Sequence, residues 1–441
     1  MHPTYLIDSI AEYLHARKKI KRFDGMSIDE LHRDCEKQLL DIVGFAWEKV
    51  PFYRQKWSEA GIKPDDIRSV SDFESLPLID RNDIIEHCDE FIPSDYDRRH
   101  LSRITTGGTS GMPMQFYIDN YRARAKEVAF VETINRKYFG CKPFDRQIVL
   151  RGDRVVDDEA LRNHKFWKYS FIKRALALSS FHLSQDNFAS YMAKIRSYDP
   201  HVIKAYPSSI GALCSLMKQN GEKPLKSLRA VICSSENISE LQRKLVRQVL
   251  GVEICSYYGH SEKCVAAFQG KDGKMLFHPL YGYTEFVDAE NGRVVTSPGQ
   301  TAEVVVSGFN HDYFPLIRYR TNDLVEIGEP EGLFEKTAVR ILGREQDFVY
   351  DNALNKKIFT NSDEPFWELD GVTAYQYVQD KPGEMTVRLQ VSDRYELSTE
   401  ERILSGINEV FPGFIIRFEY VNDIPKTARG KFKFLIQNLK I

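Results

Sequence analysis

The stretch that decides the fold class runs from residue 201 to 257 and contains the apolar runs HVIKAY (201–206), LRAVIC (228–233) and VEICSY (252–257). Apolar residues at helical spacing predict helices between them, at 208–219 and 239–250. Strands that alternate with helices of this length indicate βαβ units and a parallel sheet. Ligands of such sheets bind at the carboxyl ends of the strands, where Tyr206, Ser234 and Tyr258 follow the three runs.

The pattern changes on both sides of this stretch. The first hundred residues have helical spacing, and we expect Pro51 to stop a helix that runs from Leu31 to Val50. From about 276 to 342 the runs become β-like, with strands predicted at 303–307, 316–319 and 338–342. A smaller α+β pattern follows residue 343, with strands at 373–378 and 385–392, a helix from Ser398 and a last strand at 414–421.

We therefore expect an α/β protein of two domains. Residues 1–342 would form a large N-terminal multi-layer α/β domain with a β-rich subdomain, and residues 343–441 a small, mobile C-terminal α+β domain. The natural boundary is 343–347, where the character of the sequence changes.

Composition excludes several classes of function. The chain has 441 residues, is 42% hydrophobic and 28% charged, and has a formal net charge of −2. This balance is typical of a globular protein and gives no bulk attraction to nucleic acid or an anionic membrane. We find no apolar stretch long enough to span a bilayer, and the first 25 residues resemble neither a signal peptide nor an anchor.

The seven cysteines are widely spaced and contain no C-x-x-C pair. Their odd number and spacing argue against a disulfide framework and against a standard zinc module. We expect a cytoplasmic protein whose cysteines are mostly small core residues.

Residues 105–111 form a segment of hydroxyls and glycines, Thr105-Thr106-Gly107-Gly108-Thr109-Ser110-Gly111. Glycines let a backbone approach a ligand closely, and hydroxyls and N–H groups bind anionic oxygens, so the segment suits phosphate. A flexible surface turn has the same composition and by itself is the simpler interpretation. The segment matches neither the Walker A loop nor the G-x-G-x-x-G fingerprint.

Three further segments have the residue types of a nucleotide site. Tyr257 to Glu262 follows the third strand and supplies a ring that can stack on a base and a carboxylate that can hold Mg²⁺. Asp323 is expected in a loop after a strand, where a carboxylate can accept hydrogen bonds from ribose hydroxyls. Pro425 to Lys431 is a basic loop that contains a glycine. Each segment also has a plain alternative: Tyr257 to Glu262 could be an ordinary strand end, the Asp323 segment an ordinary turn, and Pro425 to Lys431 a solvated tail.

Together and in order, the segments resemble the adenylate-forming superfamily of acyl-CoA synthetases, peptide-synthetase adenylation domains and luciferases. The matching motifs follow one another as residues 105–111, Ser234-Ser235-Glu236, Tyr258-Gly259-His260-Ser261-Glu262, Arg318 to Asp323, Gly343-Arg344-x-x-Asp347 and Pro425 to Lys431. Val50-Pro51-Phe52-Tyr53 and Leu76-Pro77-Leu78 are similar to the phenylacetate–CoA ligase and CapK-like branch. The resemblance covers nearly the whole chain.

The resemblance implies ATP and Mg²⁺ as cofactors and a role for each motif. Thr105, Thr106, Gly107, Gly108, Thr109, Ser110 and Gly111 would hold the β- and γ-phosphates of ATP. The adenine pocket would be lined by Ser234, Ser235 and Glu236, with Tyr258 and Gly259 against the base. Asp323 would bind the ribose hydroxyls, and Arg344 would contact the nucleotide near a hinge at Gln346. In catalysis Ser261 would touch the α-phosphate, Glu262 would hold Mg²⁺, and Lys431 would reach in from the small domain.

The sequence departs from the superfamily pattern at several positions. Met114 stands where many members of the superfamily have lysine. The phenylacetate ligase branch also tends to lack this lysine. Asn322 replaces a glycine or a charged residue, and asparagine tolerates left-handed backbone angles. Gln346 replaces the usual hinge acid. Cys264 and His278 lie where some relatives bind zinc, but the rest of a ligand set is missing, so we expect no zinc.

The resemblance implies that the protein activates a small-molecule carboxylic acid to an acyl-adenylate with release of pyrophosphate. The acyl group would then pass to a thiol, either coenzyme A or a carrier-protein phosphopantetheine. An amide ligase that acylates an amine, such as an amino sugar in surface-polysaccharide assembly, is the alternative, and a scaffold that has lost catalysis is a third. Tyr206, Ser208 and His260 are the candidates for the acid pocket, although His260 and Tyr206 suit structural roles equally well. The sequence is also compatible with a homodimer.

Overall fold

The computed structural model describes residues 3–105, 114–119, 121–151, 155–171, 174–236, 238, 240–344, 348–358, 371–391, 395–396, 398–422, 424 and 435–439. The chain divides into two compact units, each made of two segments. The first unit is Met1–Phe139 with Ser256–Ile341, and the second is Gly140–Cys255 with Leu342–Ile441. None of the helices among these residues is long and apolar enough to cross a membrane.

Helices dominate the beginning of the first unit, as predicted. They are α1 (Pro3–Phe23), α2 (Ile28–Lys49), α3 (Pro51–Glu59), α4 (Val70–Phe73), α5 (Arg81–His87) and α6 (Arg122–Tyr138). A capping box starts α2, because the Ser27 hydroxyl accepts from the Glu30 N–H while the Glu30 carboxylate accepts from the Ser27 N–H. Pro51 does more than end α2: it occupies the first turn of α3, where its missing N–H costs no hydrogen bond.

The strands of the first unit begin with a separate antiparallel pair, β1 (Leu101–Thr105) and β2 (Gln115–Asp119). The others follow one another in the sheet order β11-β12-β13-β14-β10-β9-β8, with antiparallel pairing of β11 with β12, β12 with β13, β14 with β10, β10 with β9 and β9 with β8. Their bounds are β8 (Ile254–Gly259), β9 (Ala266–Gln269), β10 (Met275–Phe277), β11 (Gly282–Val287), β12 (Thr301–Gly308), β13 (Tyr319–Ile327) and β14 (Thr337–Arg344). Strands β8 and β14 each cross the boundary between the two units.

The prediction of a strand at 316–319 was wrong, because other partners take the backbone groups of this segment. The Tyr53 hydroxyl, buried in α3, donates to Pro315 O at 3.1 Å and accepts from Ile317 N–H at 2.9 Å. The Ser307 hydroxyl accepts from Arg318 N–H at 2.8 Å. The strand therefore begins only at Tyr319.

The second unit contains the predicted parallel sheet. Strands β3 (Gln147–Arg151), β5 (Ala175–Ser179), β6 (Val202–Ala205) and β7 (Ala230–Ser234) are parallel, in the order β7-β6-β3-β5, and β4 (Trp167–Ser170) is antiparallel at the edge. The helices are α7 (Asp158–Arg162), α8 (Phe188–Tyr198), α9 (Pro207–Gln219) and α10 (Glu240–Leu250). Ile148, Leu150, Ile203 and Val231 pack in one core with apolar residues of α8, α9 and α10. The helices thus cover one face of the sheet.

The C-terminal part of the second unit has its own core, formed by residues of β17, β18 and α11. Its elements are β15 (Phe348–Tyr350), β16 (Lys356–Ile358), β17 (Val372–Gln379), β18 (Glu384–Val391), α11 (Ser398–Val410), β19 (Ile415–Tyr420) and β20 (Leu435–Gln437). The predicted strands and helix are confirmed within a few residues. However, β19 is not the last strand, since β20 follows it and pairs in parallel with β17.

Candidate functional site

Asp323 lies within β13, not in a loop after a strand as the sequence suggested. The register of β12 against β13 shifts between Glu303 and Val305, which marks a bulge in the pairing. Asn322 adopts a left-handed conformation there, with φ of 58°. Bulges of this kind redirect the side chains beside them and are frequent next to active sites.

Polar contacts hold this bulge in place. The buried Glu303 carboxylate accepts from Asn322 N–H at 3.0 Å and from the Arg320 guanidinium at 2.5 and 2.9 Å. The Thr321 hydroxyl donates to Val304 O at 2.7 Å and accepts from Asp323 N–H at 3.1 Å. Sequence reasoning missed Glu303. No motif marks it, because its role depends on strand pairing.

The carboxylate of Asp323 joins two side chains that lie more than sixty residues earlier in the chain. Its Oδ2 accepts from the Tyr258 hydroxyl at 2.9 Å and lies 2.7 Å from His260 Nε2. The side chains of His260 and Asp323 are only 8% and 9% exposed. The rings of Tyr258 and His260 meet edge to face, with 5.0 Å between centroids. We call Tyr258, His260 and Asp323 the aspartate triad.

The aspartate triad gives His260 a definite position. The sequence allowed His260 to be either a substrate contact or a hydrogen-bonded structural residue. The contact with Asp323 is the hydrogen bond that the structural interpretation requires. The triad also restricts Tyr258, whose ring further contacts Phe277 edge to face at 5.8 Å. A carboxylate with two donors on one oxygen is held in a fixed orientation.

Ser261, Glu262 and Lys263 follow β8 in the same unit. Ser261 is exposed, whereas Glu262 is half-buried and accepts from the Tyr319 hydroxyl at 3.4 Å. Lys263 forms an ion pair with Glu127. The carboxylate of Glu262 has no cationic partner among the described residues, and carboxylate oxygens are ligands that Mg²⁺ prefers. Glu262 is therefore suited to a Mg²⁺ ion that is otherwise bound by substrate phosphates and water.

Two predicted segments of the second unit are in contact. Glu236 Oε2 accepts from Ser208 N–H, at the start of α9, at 3.0 Å. Ser234 ends β7, and its hydroxyl accepts from Arg151 Nη2 at 3.3 Å. Tyr206 precedes α9, and the Arg151 guanidinium lies 5.6 Å from the centroid of its ring. Ser235 is exposed and has a positive φ of 74°. The adenine and acid candidates of this unit therefore adjoin one another.

Arg151 was missed by sequence reasoning. It ends β3, and the neighbouring strands β6 and β7 end beside it at Ala205 and Ser234. The only signal in the sequence is a charged residue directly after the apolar run 147–150. Arg151 also lines a cavity of about 300 Å³ in this unit.

Several predicted residues lie outside the described part of the chain. These are Thr106, Gly107, Gly108, Thr109, Ser110, Gly111, Gln346 and Lys431, together with the side chain of Arg344. Thr105 is described: it is exposed at the end of β1, opposite Gln115 of β2.

Met114 is fully buried in the core of the first unit, and its sulfur lies 4.0 Å from the Tyr319 hydroxyl. Packing explains a methionine at this position, because a lysine ammonium would be buried there.

The cysteines and buried histidines of the described residues do not form a metal site. All seven cysteines are free, and no group of three His, Cys, Asp or Glu side chains in these ranges could hold a metal ion. Cys264 Sγ lies 4.0 Å from His311 Nδ1. Burial raises the pKa of the Cys264 thiol well above its usual value and lowers the pKa of His278 and of His311 to about 3. These groups are therefore neutral core residues.

Comparison with known proteins gives consistent results. The family model of the CapK C-terminal domain matches residues 353–438. Protein CapK of Staphylococcus aureus is 25% identical over 387 residues, which cover 84% of this chain and 82% of that protein. A phenylacetate-coenzyme A ligase of Escherichia coli (strain K12) is 26% identical over 350 residues, which cover 76% of each.

Solved structures show the same fold. A 2-hydroxyisobutyryl-CoA ligase in the postadenylation state, in complex with 2-HIB-AMP, aligns with a TM-score of 0.71 at 20% identity, over 92% of this chain and 89% of that one. An anthranilate CoA ligase in complex with anthranoyl-AMP aligns with a TM-score of 0.54 at 15% identity, over 77% and 68% of the two chains. The chain is thus a homologue of CapK and of the phenylacetate-coenzyme A ligases, and it has the fold of the adenylate-forming ligases.

Proposed function

We propose that this protein activates a carboxylic acid with ATP and transfers the acyl group to a thiol. Its homology to phenylacetate-coenzyme A ligases makes it an enzyme of the adenylate-forming class. The observation that carries the proposal is the aspartate triad, in which Tyr258 and His260 orient the Asp323 carboxylate, with Glu262 just after them in the chain. This arrangement suits a nucleoside, because the carboxylate can accept from ribose hydroxyls beside an aromatic ring.

In the first half-reaction, a carboxylate oxygen of the acid attacks the α-phosphorus of ATP, and the bond to the pyrophosphate oxygen breaks. We assign ribose binding to Asp323, adenine stacking to Tyr258 and the pyrophosphate end to residues 105–111. Ser234 to Glu236 would line the adenine pocket, and Ser261 would contact the α-phosphate. A Mg²⁺ ion on Glu262 would supply neutralisation of phosphate charge. Lys431 would offset the charge that develops between carboxylate and phosphate.

In the second half-reaction, the thiol sulfur attacks the acyl carbon, AMP leaves and the thiol proton passes to solvent. The proposal includes a rotation of residues 343–441 about 343–347, which would withdraw Lys431 and admit the thiol. Rotation of a domain is a common way to separate two half-reactions at one site. Complexes of 2-hydroxyisobutyryl-CoA ligase contain both 2-HIB-AMP and CoA, which supports coenzyme A as the acceptor here.

An amine acceptor is the second candidate. The match of residues 353–438 to the CapK C-terminal domain keeps an acceptor other than coenzyme A open, because the C-terminal domain would face the acceptor in the proposed mechanism. Product mass spectrometry decides between the two. Incubation with ATP, an accepted acid and either coenzyme A or an amino sugar should yield the thioester and no amide. Formation of an amide without any thioester would show that the acceptor is an amine and not a thiol.

The activity itself is tested by pyrophosphate release that depends on an added carboxylic acid. We expect Lys431→Ala to reduce the rate roughly 1000-fold, because it removes a charge used only in the transition state. The same variant should still transfer the acyl group from a supplied acyl-adenylate. Lys381→Ala, an exposed lysine in the turn between β17 and β18, is the matched control and should keep the full rate. Wild-type release by Lys431→Ala would refute the assignment.

A further inference from the structure

The cavity of about 300 Å³ in the second unit opens on the sheet face that α8, α9 and α10 leave uncovered. Val149 of β3, Ala177 of β5 and Lys168 of β4 stand opposite one another in register, so their side chains share this face. Arg151 lies two residues further along β3, on the same face and at the carboxyl end of the strand. The cavity therefore extends along the sheet from the edge where ligands of parallel sheets bind.

The walls of the cavity combine hydrocarbon, two cations and the hydroxyl-bearing side chains of Tyr169 and Ser170. Val149, Val155, Ala177 and Leu178 supply hydrocarbon, and Arg151 and Lys168 supply positive charge. No acidic side chain lines the cavity among the described residues. A cavity of this volume with two cations and several hydrocarbon side chains suits a small organic anion, because the cations attract its charge and the hydrocarbon packs against its organic body.

Arg151 has few partners for a guanidinium in such surroundings. Within the described residues it donates one hydrogen bond, from Nη2 to Ser234 Oγ, and it lies over the Tyr206 ring. Its Nε is buried and has no acceptor within the described part of the chain. Ser180 Oγ, next to the cavity lining rather than part of it, is likewise buried without a hydrogen-bond partner among the described residues, and Ser180 N–H donates to Arg151 O at 3.3 Å. Buried polar groups of proteins are nearly always hydrogen-bonded, so these atoms point to a ligand.

Other arginines of the same unit are paired with carboxylates. Arg146 contacts Asp199 at 2.6 Å, and Arg229 contacts the buried carboxylate of Asp145. Arg151 and Lys168 have no carboxylate partner among the described residues. Among the described residues, Arg151 therefore lacks the carboxylate partner that Arg146 and Arg229 have.

We propose that this cavity binds an anionic group of the acid substrate, so that the activated acid carries a second acidic group besides the reacting carboxylate. The inference rests on the proposed function and specifies its substrate class: a small acid with a short hydrocarbon body and two acidic groups. Arg151 is the specificity-determining residue, and Lys168 contributes longer-range attraction. The hydrogen bond from Arg151 to Ser234 links acid recognition to a residue assigned to the nucleotide.

The test compares matched pairs of acids. Calorimetry measures the binding of 4-carboxyphenylacetate against 4-methylphenylacetate, and of glutarate against pentanoate, to the wild-type protein and to Arg151→Met. We expect the wild type to prefer each diacid. Arg151→Met should weaken diacid binding by roughly 10- to 100-fold and leave the monoacids unchanged, as expected for the loss of a charged hydrogen bond.

Two further variants separate recognition from folding. Lys168→Met, at an exposed lysine, should weaken the diacids by about threefold, consistent with a weaker solvated contact. Lys194→Met is the matched control, since its ammonium lies over the Trp167 ring and does not line the cavity. It should bind all four acids as the wild type does.

The outcomes distinguish this inference from the proposed function. Equal binding of diacids and monoacids to the wild type, or equal weakening of both by Arg151→Met, would overturn the inference. So would an Arg151→Met variant that loses binding of coenzyme A and not of the diacids, because the anion would then be a phosphate of the acceptor. Pyrophosphate release on the same acids reports separately on the proposed function: charge-dependent binding without release would refute the reaction and leave the cavity's role intact.

Discussion

The two compact units differ in how fully their described residues supply hydrogen-bond partners to the functional polar groups. In the first unit the Asp323 carboxylate receives hydrogen bonds from Tyr258 and His260. In the second unit the Arg151 guanidinium has, within the described part of the chain, one long hydrogen bond and a buried Nε without an acceptor. The first arrangement is complete within the protein, whereas the second lacks its counter-charge among the described residues.

This difference matches the parts of the proposed reaction that each unit would serve. Asp323 is assigned to ATP, which every adenylate-forming enzyme shares, and a rigidly held carboxylate loses little entropy when a ribose binds. Arg151 is assigned to the acid, which differs between relatives. A cation that only the correct acid can satisfy provides selectivity, because other acids would leave it buried and unpaired.

Among the tests of this comparison, the largest effect should come from removing the carboxylate of the first unit. We expect Asp323→Ala to weaken ATP binding by roughly 100-fold, since two hydrogen bonds from ribose to a charged acceptor are lost. Calorimetry with ATP measures it. Asp272→Ala, an exposed aspartate in the turn between β9 and β10, is the control and should bind ATP normally. Unchanged affinity in Asp323→Ala would break the comparison, because the carboxylate would then be structural.

A second prediction concerns acid sensitivity, which we expect in the first unit. The buried His278 and His311, whose pKa is lowered to about 3, both belong to it. Unfolded histidine takes up a proton near pH 6.5, so the unfolded chain binds more protons than the native one between about pH 6.5 and 3. Stability therefore falls as the pH drops, by about 2 kcal/mol per histidine at pH 5.

Hydrogen exchange and urea unfolding at pH 7 and 5 check this prediction. Protection should be lost in β9 to β11 before β3, β5, β6 and β7. Glu285 opposes the trend, because burial raises its pKa to about 7 and it favours the native state as the pH falls. The variants His278→Gln and His311→Gln isolate the histidine contribution, since each should flatten the pH dependence. An unaltered slope in both would contradict the assignment.

The smallest effect should come from the Tyr258 hydroxyl. Tyr258→Phe keeps the ring and removes one donor to Asp323, so we expect ATP affinity to fall about fivefold, the loss of one hydrogen bond. Tyr258→Leu removes the ring as well and should lose more affinity if the ring stacks on adenine. Equal losses in the two variants would show that the ring contributes nothing and that Tyr258 only orients Asp323.

Much of the architecture was predictable because local periodicity decides it. The parallel strands at 202–205 and 230–233 and the helix between them followed from apolar spacing alone. Asp323 and Glu262 were named as candidates because their motifs, taken in order with the others, resemble those of the adenylate-forming superfamily, whereas each segment alone also suits a strand end or a turn. The position of Asp323 within β13 was not predictable, since the bulge depends on the register of β12, which no local pattern encodes.

The failures share a physical cause. The segment 316–319 has the composition of a strand, but the hydroxyl of Tyr53, more than 260 residues away, takes its backbone groups. His260 could not be assigned from sequence, because its partner lies 63 residues later. Propensity reports what a residue favours alone, whereas these outcomes depend on which distant groups meet it in the folded chain.

The sequence by itself determined the fold class, the order of the strands and helices, and the kinds of side chain at the strand ends, because these depend on spacing and residue type. Only the tertiary structure decided that Tyr258 and His260 converge on Asp323, that Met114 is a core residue, and that Arg151 lines a cavity together with Lys168 and several hydrocarbon side chains. The reason is that hydrogen bonding and desolvation depend on through-space distance, and the chain brings residues far apart in sequence within 3 Å of one another only when it folds.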